Sequence, residues 1–74
     1  MGRLSGFTHA AAARKLRKLG FAFARQAKGS HEIWRRPADG RMTTLPNHPG
    51  TIPEGALRAI LREAGVTPNE FLEA

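Results

Sequence analysis

Residues 21–45 read FAFARQAKGSHEIWRRPADGRMTTL, and this stretch decides the fold. Phe21 and Phe23 alternate with small or polar residues through Ala27, the period-two pattern of a half-buried strand. Lys28-Gly29-Ser30 then makes a turn, and His31 to Arg36 makes a short second strand carrying Ile33 and Trp34. Pro37-Ala38-Asp39-Gly40 is a second turn, because proline fixes its own φ and glycine permits a positive one. Arg41 to Leu45, closed by Pro46, pairs back as the third strand of an antiparallel sheet.

Outward from the sheet, the pattern changes to helical. Thr8 is placed to cap a helix over His9 to Leu19, with Ala12, Leu16 and Leu19 on one face and Gly20 as its stop. Beyond a loop at Asn47 to Thr51, Pro53 opens a second helix through Leu57, Ile60, Leu61 and Ala64, which Gly65 ends. Thr67-Pro68-Asn69-Glu70 has the form of a capping box and starts a last turn that folds Phe71 and Leu72 onto the core. The order is helix, three strands, helix and terminal turn: an α+β layout with two helices on one face of a three-stranded antiparallel sheet, the other face open. Residues 1–74 form one domain, without repeats or linkers. Phe21, Phe23, Leu57, Ile60 and Leu61 are expected in a thin core.

Twelve Lys and Arg against six Asp and Glu give a formal charge of +6. Such a surface suits a polyanion, since phosphates neutralised by Lys and Arg release counterions; an acidic protein partner is the other class it fits. There is no cysteine, so neither a disulfide framework nor a thiolate zinc site is available. No amino-terminal leader pattern and no run approaching the roughly 20 apolar residues of a membrane span is present. A cytoplasmic protein without a membrane partner is expected.

Phosphate-cradling glycine motifs, a nucleophile elbow and paired histidines at metal-ligand spacing are all absent. Neither a cofactor nor a metal is called for. Of the three histidines, His9 falls in a first helical turn and is read as an incidental surface residue. His48 lies in a loop between Asn47 and Pro49, where contact with phosphate and stabilisation of the turn are equally compatible with its position. His31 follows Lys28-Gly29-Ser30 directly, an imidazole beside a tight turn and a cation. A 2′-hydroxyl next to a scissile phosphate needs its proton removed, the phosphorane charge stabilised and the leaving group protonated. An unperturbed imidazole titrates near 6.5 and can contribute roughly 10² to 10⁴-fold by acid–base help without a metal. Arg25, Lys28, Arg35, Arg36 and Arg41 are the cations around or opposite the turn that could hold phosphate oxygens, whereas Arg14, Lys15, Arg17 and Lys18 form a solvated helix face outside the site. A lone histidine also fits a hydrogen-bonded structural role, so these residues alone leave both readings open.

Four blocks in order resemble the HicA family: Leu19-Gly20-Phe21, Lys28-Gly29-Ser30-His31, Pro46-Asn47-His48-Pro49-Gly50, and Gly55-Ala56-Leu57-Arg58-Ala59-Ile60-Leu61-Arg62-Glu63-Ala64-Gly65. The similarity covers nearly the whole chain. It implies a double-stranded RNA-binding-domain fold, α-β-β-β-α, and a toxin of a type II toxin–antitoxin pair that cleaves mRNA as an endoribonuclease. The histidine after Gly-Ser, here His31, would be catalytic. The residues placed around it by the reading above, Lys28, Gly29, Ser30, Arg25, Arg35, Arg36, Arg41 and His48, are the expected RNA-binding set. The implied partners are mRNA and a HicB-like antitoxin, with DNA reached only through the antitoxin. A non-catalytic module binding duplex RNA by shape is the alternative.

Departures from the family pattern are small: Ala56 stands where threonine is frequent, Trp34 where a smaller aromatic is common, and Glu32 follows the histidine directly. Alternation turns Glu32 and Trp34 away from His31, Ile33 and Arg35. Trp34 is assigned to the core, with base stacking as the other use of a lone tryptophan. Glu32 at a frayed strand end could orient the imidazole or repel RNA, and the sequence does not decide between them.

Overall fold

Thr8 starts the first helix because its hydroxyl accepts the Ala11 N–H at 3.2 Å, relieving one of the donors that a helix start leaves unpaired. The computed structural model describes residues 3–74. In chain order its elements are α1 (His9–Lys18), β1 (Ala22–Gln26), β2 (His31–Arg36), β3 (Arg41–Pro46), α2 (Glu54–Ala64) and α3 (Pro68–Glu73). After α1, Gly20 is left-handed at φ 93°, the Phe21 N–H donates to the Leu16 carbonyl at 2.9 Å and the Gly20 N–H to Arg17 at 3.0 Å. Gly65 ends α2 in the same way at φ 73°, Val66 donating to Leu61 at 3.0 Å. In both stops the glycine satisfies the last carbonyls while the residue after it returns an apolar side chain to the core: Phe21 and Val66 are both buried.

The strands form one antiparallel sheet in the order β1-β2-β3. The second turn is fixed by Asp39, whose carboxylate accepts from the Arg36 guanidinium at 3.0 and 2.8 Å and from the Arg41 N–H at 3.2 Å. The Arg36 bonds are the main reason that its pKa lies at about 2. The β2–β3 register runs unbroken from His31↔Pro46 to Arg36↔Arg41, whereas β1–β2 carries a bulge between Phe23 and Arg25.

Helices α1 and α2 cover one face, burying Ala12, Ala13 and Leu16 from the first and Leu57, Ile60, Leu61 and Ala64 from the second against Trp34 and Leu45. Leu4 and Ile52 complete this core from outside the regular elements. The segments before α1 and α2 are tied together, Ile52 donating to the Phe7 carbonyl at 2.7 Å and Thr8 bridging Thr51.

Several expectations change. Phe23 is 51% exposed: it lies on an outer strand whose five residues are all exposed, and its ring meets the edge of Trp34 at 6.4 Å without burying itself. The terminal turn is a six-residue helix, α3, with its capping box formed in both directions, and Phe71 on it is fully buried against Phe7. Lys15 is not simply solvated, since its ammonium donates to the carbonyls of Leu72 and Ala74 at 3.1 and 2.9 Å and so fastens α3 to α1.

Candidate active site

The alternation of β2 sorts its side chains between two environments. His31, Ile33 and Arg35 point to the open face, together with their cross-strand partners Arg25, Met42, Thr44 and Pro46. Glu32 and Trp34 point to the helices and are buried.

On the open face, His31 stands at the first position of β2 because the turn before it is tightly held. The His31 N–H donates to the Lys28 carbonyl at 3.3 Å, the Ala27 N–H to the His31 carbonyl at 2.8 Å, and the Gln26 amide to the carbonyls of Gly29 and His31 at 3.0 and 2.9 Å. Gly29 takes φ 66°, a conformation that side chains disfavour, although a Cβ there would meet nothing within 4 Å. The glycine is needed for the turn's shape, and the space beside it is open to a ligand. The His31 imidazole is exposed and, among the described residues, has no hydrogen-bond partner in the protein.

The second imidazole comes from the loop after β3. Asn47 donates its N–H to the Ser30 carbonyl at 2.9 Å, which draws the loop to the Lys28–Ser30 turn. His48 then lies with its ring centroid 6.4 Å from that of His31, the planes at 81°. The Ser30 hydroxyl is 3.2 Å from His48 Nδ1 and 3.1 Å from Nε2, in polar contact with the ring.

Beneath this pair, on the core face, the Glu32 carboxylate is held by three donors. His9 Nε2 and Trp34 Nε1 reach Oε1 at 2.8 and 3.0 Å, and the Asn47 amide reaches Oε2 at 3.0 Å. Burial pushes the carboxyl upward in pKa, but these bonds, with the charge of His9, outweigh it and hold it below its ordinary value. Glu32 therefore lies on the helical face, away from His31. It fastens the start of α1 and the loop bearing His48 to the sheet. His9, read from sequence as incidental, is half-buried and belongs to this network. Neither His9 nor Asn47 carries a local sequence signal for that role; His9 and Glu32 meet across 23 residues of chain.

The cations divide. Arg25, paired with Ile33, and Lys28, in the turn, stand with His31, and Arg35 shares its face about 13 Å along the strand. Arg36 and Arg41 are not brought to the site. They pair with each other at the far end of the β2–β3 ladder, where alternation turns them to the helical side. Arg36 is committed to Asp39 and to the Leu19 carbonyl, and lies 4.8 Å from the centre of the Phe21 ring. Arg41 lies against Gly65, whose missing Cβ would come within 2.8 Å of the guanidinium. Proximity along the chain suggested both; the alternation of β2 separates Arg36 from Arg35.

Among the described residues, no three His, Asp or Glu side chains gather as a metal site, and no helix is long and apolar enough to cross a membrane. A cavity of about 270 Å³ lined by Arg58, Leu61, Arg62, Val66 and Pro68 lies in the helical layer, but it contains no acid–base group.

The sequence model of the HicA toxins of bacterial toxin–antitoxin systems matches residues 11–66. The chain belongs to the HicA toxin family. The matched span includes the whole sheet, His31, the His48 loop and α2, whereas α3 lies beyond it. No curated protein matches the sequence. Membership of the HicA family makes the chain the toxin component of a toxin–antitoxin pair.

Proposed function

We propose that this HicA-family toxin is a metal-independent endoribonuclease that cleaves mRNA in the cytoplasm and is neutralised by a HicB-type antitoxin. The observation that carries the reading is the exposed His31 imidazole, without a hydrogen-bond partner among the described residues, on the open face of a basic domain. His9, by contrast, is held by the buried Glu32 carboxylate on the helical face. His31 assists the attack of a 2′-hydroxyl on the adjacent phosphorus, and Arg25, Lys28 and Arg35 neutralise the phosphates on either side. Gly29 and Ser30 shape the turn that receives the backbone. Family membership and the net positive charge support an acidic antitoxin laid over this face.

Cleavage of a mixed-sequence RNA in excess chelator, comparing wild type with His31→Ala, tests the reading. Cutting by the wild type alone, leaving 5′-hydroxyl ends, is expected. Binding by both without cutting by either would leave a duplex-RNA binding module instead.

A further inference from the structure

Cleavage of a phosphodiester by its own 2′-hydroxyl moves two protons at two places. One leaves O2′ as the O2′–P bond forms, and one must reach O5′ as the P–O5′ bond breaks. These two oxygens lie on opposite sides of phosphorus, so a single imidazole serves both only by moving between them.

The open face holds two imidazoles, on separate elements and about one small group apart. His31 begins β2 and His48 follows β3, with their ring centroids at 6.4 Å. Proton transfer needs contacts of roughly 3 Å, and two rings on the same open face with centroids 6.4 Å apart can approach one phosphoryl group from two sides. The arrangement is built. The Asn47 N–H is bonded to Ser30, the Asn47 amide to buried Glu32, and the Ser30 hydroxyl to the His48 ring. These bonds fix the loop and the ring against the turn that carries His31. A histidine that served only to bind phosphate would not require a second imidazole at this spacing, since Arg25 and Lys28 already supply charge.

We propose that His48 is a second catalytic residue and forms an acid–base pair with His31, an inference that rests on the ribonuclease reading above. One neutral imidazole takes the 2′-hydroxyl proton while the other, protonated, gives its proton to O5′. The products are a 2′,3′-cyclic phosphate and a 5′-hydroxyl, and exchange with water restores both rings.

A substrate with sulfur replacing the bridging 5′-oxygen separates the roles, because a thiolate leaves without protonation. Wild type, His31→Ala and His48→Ala are each assayed on an ordinary oligoribonucleotide and on its 5′-bridging phosphorothiolate, with denaturation midpoints measured to confirm folding. On ordinary RNA, His48→Ala is expected to lose about 10² to 10⁴-fold. The sulfur substrate is expected to restore one of the two variants to near the wild-type rate and leave the other impaired, the restored variant marking the acid. A wild-type rate for His48→Ala on ordinary RNA, or restoration of both variants or of neither, would overturn the pairing while leaving His31 in place. A wild type that cuts neither substrate would instead overturn the ribonuclease reading itself. Should His48→Ala be unfolded, His48→Asn takes its place in the same comparison.

Discussion

The two faces of β2 are made from alternate residues of the same six-residue strand, and they treat polar groups in opposite ways. On the helical face, the Glu32 carboxylate has three donors, and among the described residues no buried side-chain polar atom lacks a partner. On the open face, the His31 imidazole has no hydrogen-bond partner among the described residues. A buried polar group must be satisfied by the protein or it destabilises the fold. An exposed one is satisfied by water, and can exchange that water for substrate. The contrast separates what holds the domain together from what is available for chemistry, and it predicts that stability and turnover respond to different substitutions on neighbouring positions.

Trp34→Ala should have the largest effect on stability. It removes a fully buried ring and a donor to Glu32, at about 3–5 kcal/mol, which approaches the whole stability of so small a domain. Urea denaturation measures it, and an unchanged midpoint would mean that the helical face is not the core.

Glu32→Gln comes next, at about 1–3 kcal/mol, because the amide turns donors toward donors. It also has a pH signature. A carboxyl whose folded pKa lies below its ordinary value of 4.5 adds stability above that value and loses it as pH falls through the folded one. The stability gap between wild type and Glu32→Gln should therefore shrink on acidification below about pH 5. Asp39 and Glu70 are also lowered and contribute in the same range, but both proteins retain them, so the difference isolates Glu32. A gap that widened in acid would contradict the network.

Phe23→Ala should cost only about 0.5–1.5 kcal/mol, the worth of an edge-to-face pair, since the ring is half exposed. A loss as large as that at Trp34 would show that β1 is covered in solution. Smallest of all, His31→Ala should shift the midpoint by less than about 0.5 kcal/mol while abolishing cleavage; a large stability loss there would end the separation of the two faces.

What the sequence discloses is what short-range chemistry controls. The Thr8 cap, the glycine stops and the Thr67 capping box each depend on residues within five positions of one another, and the structure forms all of them; the first strand, expected from Phe21 to Ala27, is one residue shorter at each end, Phe21 closing the stop of α1 instead. The alternation of β2 likewise placed Trp34 inward and Ile33 partly outward. What escaped notice depends on meetings across the chain. His9 gained a role only because α1 begins over Glu32, and Leu4, in an irregular segment with no period to read, is fully buried. Phe23 has the same alternation as a core residue, but no pattern within a strand reveals that it is the outer one. In the candidate site, His31 and its turn were legible, and so was the presence of His48. The 6.4 Å between the rings was not, because it depends on the bond from Asn47 to Ser30.

The two borders of the sheet are stopped by different means. Along β3, the Thr44 N–H that would otherwise face outward donates to the Glu63 carboxylate of α2 at 3.1 Å. Along β1, the bulge beside Phe23 breaks the regular spacing and Arg25 adds a charge. An unpaired strand is a template for the next molecule, and bulges and charges are the usual impediments to its use. A second copy can therefore extend this three-stranded sheet neither from the side that α2 plugs nor smoothly from the side that is kinked. Growth into strand-paired fibres is impeded at both ends, even though one whole face of the sheet is uncovered.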